Sequence, residues 1–253
     1  MPGYPVDFTG RTVLVTGASS GIGREIAILL SELNANLVLA GRNQERLNET
    51  LGAMSGSGHH VETIDLAAVD RIPQWIKSVA ALTGPLHGLV HAAGKQMTGS
   101  IRMTSPVSLD DLFKTNVYSA VMLARGLCQK NCFQAGGSMV FISSIMGLVS
   151  KPAIPLYSAT KAALSGLSKS LALELAAERI RVNCIAPAFV ETEMLNQLRE
   201  MLLPEQFEAI EKAHPLGFGT PRDVAHAAAF LLGESGRWIT GTTLVVDGGY
   251  SAQ

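Results

Sequence analysis

Short apolar runs punctuate the chain at 12–16 (TVLVT), 37–40 (LVLA), 60–64 (HVETI), 86–91 (LHGLVH), 139–143 (MVFIS), 180–186 (IRVNCIA) and 242–246 (TTLVV). Each is of strand length and flanked by polar or glycine-containing stretches, so the pattern predicts seven strands. Between them lie segments of helical period, such as 22–33, 108–130 and 157–178. Strands that alternate with helices pair in parallel and are covered on both faces, so the expected fold is α/β, a doubly wound parallel sheet with helices on either side. No linker, repeat or low-complexity segment interrupts the pattern, and the Ser/Gly cluster at 55–58 reads as an ordinary helix-to-strand loop. A single domain over residues 1–253 is the simplest account.

Composition narrows the class. With 253 residues, 47% hydrophobic, 16% charged and only 6% aromatic, the chain suits layers of aliphatic side chains on a sheet. Twenty Lys and Arg stand against 21 Asp and Glu, for a net charge of -1, and no basic run is present to neutralise phosphates, so a nucleic-acid partner is not expected. The segment MPGYPVDFTG holds two prolines and no apolar core, and no apolar stretch is long enough to span a bilayer. A cytoplasmic protein without membrane contact is expected. Cys128, Cys132 and Cys184 show no metal-ligand or redox spacing and read as thiols without a role, and no metal site is expected.

The first predicted strand runs into TGASSGIG, where Gly17, Gly21 and Gly23 replace side chains just as a helix begins. A pyrophosphate needs backbone N–H groups and a helix N-terminus, with no side chain in the way. Gly17 would make the tight turn, Gly21 would admit the phosphates, and Gly23 would let the helix pack closely on the sheet. Packing alone can also demand glycine.

Tyr157 and Lys161 stand four apart at the start of a helical segment, so their side chains share a face. A phenol of pKa about 10 needs roughly three units of stabilisation to exchange protons near pH 7. The Lys161 ammonium can supply about one to three of them, which makes Tyr157 the candidate acid/base. Ser144 ends the run MVFISS, at the strand end where such sheets place ligands, with a hydroxyl able to hold a substrate oxygen.

Together these residues carry a strong resemblance, across 8–251, to the short-chain dehydrogenase/reductase family: Thr16-Gly17-x-x-x-Gly21-Ile22-Gly23, Asp65-Leu66, Asn116, Ser144 and Tyr157-x-x-x-Lys161. The resemblance implies a Rossmann fold and a hydride-transferring oxidoreductase. It implies that Ser144 holds the substrate oxygen, that Lys161 also binds the nicotinamide ribose, and that Asn116 carries a water in a proton relay behind Lys161. It places the cofactor against Gly17, Ser19, Ser20, Gly21, Ile22, Gly23, Arg42, Asp65, Leu66, Ala92, Ala93, Gly94, Tyr157, Lys161, Pro187, Val190 and Thr192.

The predicted second strand ends Ala40-Gly41-Arg42, without the acid that binds a ribose 2′-hydroxyl. Arg42 offers a planar cation to a 2′-phosphate, so NADP(H) is expected over NAD(H). Arg42 could otherwise be a solvated helix-start residue, and Ser20 stands where many NADPH-using members place a second basic residue. Two departures from the family pattern stand out. His91-Ala92-Ala93-Gly94 replaces Asn-Asn-Ala-Gly, so His91 either substitutes as a hydrogen-bonding group or leaves that junction looser, and a structural histidine is favoured over a catalytic one. Pro187-Ala188 replaces Pro-Gly, which should stiffen the backbone.

Residues 189–218 form the expected substrate lid, with Met194, Leu195, Leu198, Met201, Leu202, Leu203, Phe207 and Ile210 serving an apolar substrate, helical packing or a subunit contact. Gln96, Met97, Ile145, Met146 and Leu156 are further pocket candidates. By resemblance the nearest reactions are reductions of 3-oxoacyl thioesters. Ala135 and Glu178 stand where carrier-protein reductases present basic residues, which weakens the carrier-bound version, although Arg179 and Lys130 partly compensate. Another ketone, a sugar, a steroid-like alcohol, a coenzyme A thioester and a non-catalytic cofactor-binding regulator remain as alternatives. Helices rich in Ala120, Ala124, Ala163, Leu167, Leu171 and Leu175 are expected to pair between subunits, giving with the C-terminal segment a homotetramer.

Overall fold

The computed structural model describes residues 6–252, so part of the N-terminal segment read above for a leader, residues 1–5, lies outside the described residues. Seven strands form one parallel sheet: β1 (Thr12–Thr16), β2 (Asn36–Gly41), β3 (His60–Thr63), β4 (Leu86–His91), β5 (Phe133–Ile142), β6 (Arg181–Pro187) and β7 (Thr243–Val246). Their order is β3-β2-β1-β4-β5-β6-β7. The chain winds outward from β1 to β3, crosses back, and resumes at β4 beside β1. That reversal opens a crevice at the C-terminal ends of β1 and β4, where such sheets hold ligands.

The helices are α1 (Gly21–Glu32), α2 (Gln44–Gly52), α3 (Ile72–Thr83), α4 (Pro106–Phe113), α5 (Ser119–Leu127), α6 (Pro155–Glu174), α7 (Glu193–Met201), α8 (Pro204–Lys212) and α9 (Pro221–Leu232). Alternation along β1 divides the core. Val13 and Val15 face a cluster containing Ile26 and Leu30 of α1 and Val224 and Ala228 of α9. Leu14 faces the other way, onto Ile76 of α3, Leu123 of α5 and Leu164 of α6. A strand buried on both faces has no polar side to show, which is why these strands read as unbroken apolar runs.

Several boundaries differ from the pattern. β5 begins at Phe133, where it pairs with Leu86, rather than at 139; the apolar pattern misses this start because Gln-Ala-Gly-Gly follows Phe133, and the pairing with β4 shifts register between Leu86 and Gly88. The segment 108–130 is not one helix but α4, a π-helical turn at Lys114–Tyr118, and α5. The segment 157–178 begins at Pro155, which suits a first helical turn, and gives way to a 3₁₀ turn at Ala176–Glu178. Cys132 and Cys184 are buried, and the loss of water raises both thiols; Cys128 is exposed, and partial desolvation with the nearby Glu178 and Glu174 carboxylates raises its thiol too, so all three are poor nucleophiles.

Candidate active site

The turn after β1 is built on two left-handed glycines, Gly17 at φ +69° and Gly21 at φ +51°. A Cβ on Gly17 would lie 2.7 Å from Ala93 N and 2.9 Å from the Ala92 carbonyl carbon, so its absence lets the loop after β4 close against the turn. A Cβ on Gly23 would stand 2.3 Å from Gly17 O and 3.2 Å from Thr16 O, so its absence lets the start of α1 sit against the turn and the tip of β1 while Ile26 and Leu30 pack on the sheet. Ser20 is the N-cap of α1, yet its side chain makes no cap hydrogen bond, and the first turn carries no acid. A helix start with free N–H groups, a spare hydroxyl and no negative charge fits a pyrophosphate.

The crevice in front of this turn is lined by Ser19, Ser20, Gly21, Ile22 and Gly23, then by Arg42 on one rim. Asp65 and Leu66 form its floor on the adenine side implied by the resemblance, with Asp65 Oδ1 accepting from Ala67 N at 3.0 Å. Ala92, Ala93 and Gly94 complete it. Arg42 is exposed and carries no ion pair among the described residues. Nearby, Arg46 of α2 pairs with Glu193 at the start of α7, which ties the lid to the far side of the crevice.

The crevice continues into a second cavity, the two sharing Ile22, Ala92, Gly94, Lys95, Thr192 and Met194. Ser144, just past β5, and Tyr157 and Lys161, on the first turns of α6, face this cavity together with Pro187 and Val190. Lys161 Nζ lies 5.7 Å from the Tyr157 ring centroid and donates to the Ile142 carbonyl at 2.9 Å. Ser144 Oγ accepts from Met146 N at 3.1 Å and is also hydrogen-bonded to Tyr157, so the two hydroxyls meet at one point of the cavity. Ser143 Oγ donates to the Lys161 carbonyl at 2.8 Å, a bond that seats α6 on the end of β5 and that the sequence gives no sign of.

The electrostatics depart from the expectation that Lys161 makes the phenol more acidic. Burial pushes Tyr157 above its ordinary value, opposed only by a hydrogen bond with Ser144. Burial also lowers Lys161, to about 8. A dry cavity penalises phenolate and ammonium alike, and the ammonium is turned to a backbone carbonyl rather than to the phenolic oxygen.

Asn116 lies in the π-helical turn, 1% exposed. Its Oδ1 accepts from Lys95 N at 2.8 Å, and its Nδ2 donates to Lys95 O at 2.9 Å and to Thr160 Oγ1 at 3.0 Å. The amide therefore clamps the loop after β4 onto α6, directly behind Lys161. His91 fills the role of the missing asparagines. Its Nδ1 meets Thr16 Oγ1 at 2.8 Å and its Nε2 meets Ser119 Oγ at 3.1 Å. Because Ser119 Oγ donates to Thr115 O at 2.6 Å, it accepts from Nε2–H, leaving Nδ1 to accept from Thr16. Burial, with the Lys161 charge, depresses the imidazole to about 3, so it is a neutral tie and not an acid/base group.

In the lid, α7 turns Met194, Leu195 and Leu198 into the cavity. Phe207 and Ile210 instead pack inside the lid, and Met201 and Leu203 are exposed. Gln96, Ile145 and Met146 line the cavity; Met97 and Leu156 line neither hollow. Thr192 Oγ1 donates to Val190 O at 3.1 Å, and its methyl group sits over Gly21. Lys95, Lys151, Ile154 and Phe189 also face the cavity and were missed in the sequence, since only the folding-back of the loops brings them there. Ala120, Ala124 and Leu175, read above as pairing surfaces, are in the core; the exposed apolar residues on the same elements are Tyr118, Val121 and Leu173.

This sheet order, with a glycine turn at its reversal point and a Ser, Tyr and Lys on one adjoining cavity, has counterparts. The family profile described as enoyl-(acyl carrier protein) reductase matches residues 17–251, and the chain belongs to the short-chain dehydrogenase/reductase family of oxidoreductases, which act on CH–OH and ketone groups. It is 38% identical to the 3-oxoacyl-[acyl-carrier-protein] reductase of Rickettsia prowazekii (strain Madrid E), over 96% of this chain and 98% of that one. It is 36% identical to the 3-oxoacyl-[acyl-carrier-protein] reductase of Mus musculus, over 94% of this chain and 97% of the other. Among solved structures, a protein from Agrobacterium tumefaciens provisionally assigned as a 2-deoxy-d-gluconate 3-dehydrogenase, with bound NADP, superposes with a TM-score of 0.89 at 30% identity, covering 99% of this chain and 100% of that one.

Proposed function

We propose that the protein reduces a ketone to a secondary alcohol, reversibly, using NADP(H), with 3-oxoacyl thioesters as the nearest substrate class. The carrying observation is the convergence of Ser144, Tyr157 and Lys161 on one cavity that is continuous with the crevice at the glycine turn. Bound along Gly17–Gly23 and Ala92–Gly94, a nicotinamide cofactor would supply hydride to the carbonyl carbon. Ser144 donates a hydrogen bond to the carbonyl oxygen and holds it against Tyr157. Tyr157, kept protonated by its burial, delivers the proton to that oxygen as negative charge develops there. Lys161 holds positive charge beside the phenol, binds the ribose side of the site and is backed by Asn116, to which the water-relay role falls.

Arg42, exposed at the rim with no acid at Gly41, supports the 2′-phosphate and hence NADP(H), as does the NADP bound by the Agrobacterium relative. The names of the two curated relatives support a 3-oxoacyl substrate. We read the protein as one domain over 1–253 with a lid at 189–218, cytoplasmic and homotetrameric; among the described residues no helix is long and apolar enough to cross a membrane.

The test is oxidation of NADPH, and separately of NADH, with carrier-bound and coenzyme A-bound 3-oxoacyl substrates and a panel of ketones. Tyr157→Phe should lower kcat about 10²- to 10⁴-fold without changing the melting temperature. A variant as active as wild type would return the protein to a cofactor-binding, non-catalytic role, and preference for NADH would overturn the assignment to Arg42.

A further inference from the structure

We infer that Lys151 selects a carbonyl substrate that carries its own negative charge, a carboxylate or phosphate seated against its ammonium group inside the cavity. This rests on the carbonyl-reduction reading and goes beyond it, to the kind of molecule reduced. The basis is a charge imbalance. Lys95, Lys151 and Lys161 all face the cavity, and among the described residues no Asp or Glu does. Lys95 is neutralised by Asp111, with Nζ 2.7 and 2.9 Å from the two carboxylate oxygens. Lys161 is held by the Ile142 carbonyl.

Lys151 has no such partner. No ion pair or side-chain hydrogen bond holds it among the described residues, and its Nζ rests 5.0 Å from the centroid of the Phe189 ring, at the root of the lid. Burial lowers the ammonium below its ordinary value, as expected of a cation that has lost water without gaining a counter-ion. The turn that carries it is built rather than slack. Ala153 sits at φ +67°, a region that L side chains avoid, and its carbonyl accepts from Gly99 N at 2.7 Å. Met194, Leu195 and Leu198 cover the same cavity with apolar surface. An uncompensated cation in such a partly dry hollow attracts an anion far more strongly than a solvated surface lysine would, and leaving an aromatic face to meet it forfeits little.

The test uses two matched pairs of carbonyl compounds with NADPH: acetoacetate against methyl acetoacetate, and dihydroxyacetone phosphate against dihydroxyacetone. Wild type should prefer the charged member of one pair, and that pair identifies the anion. Lys151→Met should reduce this preference in kcat/KM by roughly ten-fold or more, mainly through KM, and Lys151→Arg should restore it. A preference that survives Lys151→Met, or an equal loss on both members, overturns the proposal while leaving carbonyl reduction intact. In parallel, the fluorescence of enzyme-bound NADPH is titrated with butyrate, inorganic phosphate and butyramide. Anion binding that disappears in Lys151→Met upholds the role of Lys151 even if no ketone is reduced, in which case the catalytic reading alone falls. Equal binding of anions and amide overturns the proposal.

Discussion

Lys161 and Tyr157 are both driven toward their neutral forms by the cavity that holds them. For a reductase this has a visible consequence. Lys161, lowered to about 8, is an ammonium below that pH and loses its charge above it, whereas the phenol stays protonated throughout. The kcat/KM for ketone reduction should therefore fall above about pH 8, approaching ten-fold per pH unit, and the decline belongs to the lysine. A rate profile flat to pH 10 would mean that the ammonium charge is not needed. That Tyr157 and Lys161 act together was legible, since four residues make one helical turn. That the phenol's acidity is set by burial was not, because the cluster around Tyr157 includes Met146, Ala188, Phe189 and Tyr250, which come from other parts of the chain.

Among the secondary-structure elements, β1, β4 and α5 meet at His91. Removing its ring strands Thr16 and Ser119 in a dry interior, so His91→Ala should cost about 2–4 kcal/mol in denaturant unfolding. The ionisation of His91 adds a pH dependence. The folded protein holds it neutral down to about pH 3, while the unfolded chain protonates it near the ordinary 6.5. Stability should therefore fall as the pH drops through that window, by up to about 1.4 kcal/mol per unit, and His91→Ala should flatten this slope. An unchanged acid limb in the variant would show that other groups govern it. The strands were readable from apolar runs because both faces of the sheet are covered. The π-helical turn was not, since its sequence Lys-Thr-Asn-Val-Tyr continues a helical pattern and only the fit of Asn116 against Lys95 and Thr160 distinguishes it.

For the molecule as a whole, the proposed tetramer is best argued from what the fold leaves uncovered. Leu173 of α6 is 81% exposed and Trp238, before β7, is 95% exposed, two large apolar side chains that the fold leaves in water. Light scattering should return the mass of four chains. Leu173→Asp should reduce it to a smaller species while costing the isolated chain little, because an exposed side chain contributes little to folding. A monomer in the wild type would refute the assembly. The lid belongs to this scale too: its root is a two-residue ladder of Glu191 N to Gly219 O (2.8 Å) and Gly219 N to Phe189 O (3.1 Å), and just beyond the root the start of α7 is joined to α2 through Arg46 and Glu193.

What the sequence determined by itself was the order of strands and helices, the glycine turn and the Tyr157–Lys161 pair. All of these are local, written in spacings of two to four residues that the geometry of a strand, a turn or a helix converts directly into position. What only the tertiary structure decided was how distant groups share an environment. His91 becomes a neutral tie, Asn116 a clamp, Ala120 and Ala124 core, and Lys151 a cation facing a cavity without acids. None of these can be read from neighbours in the chain, because charge, hydration and hydrogen-bond partners are set by residues that folding brings in from elsewhere.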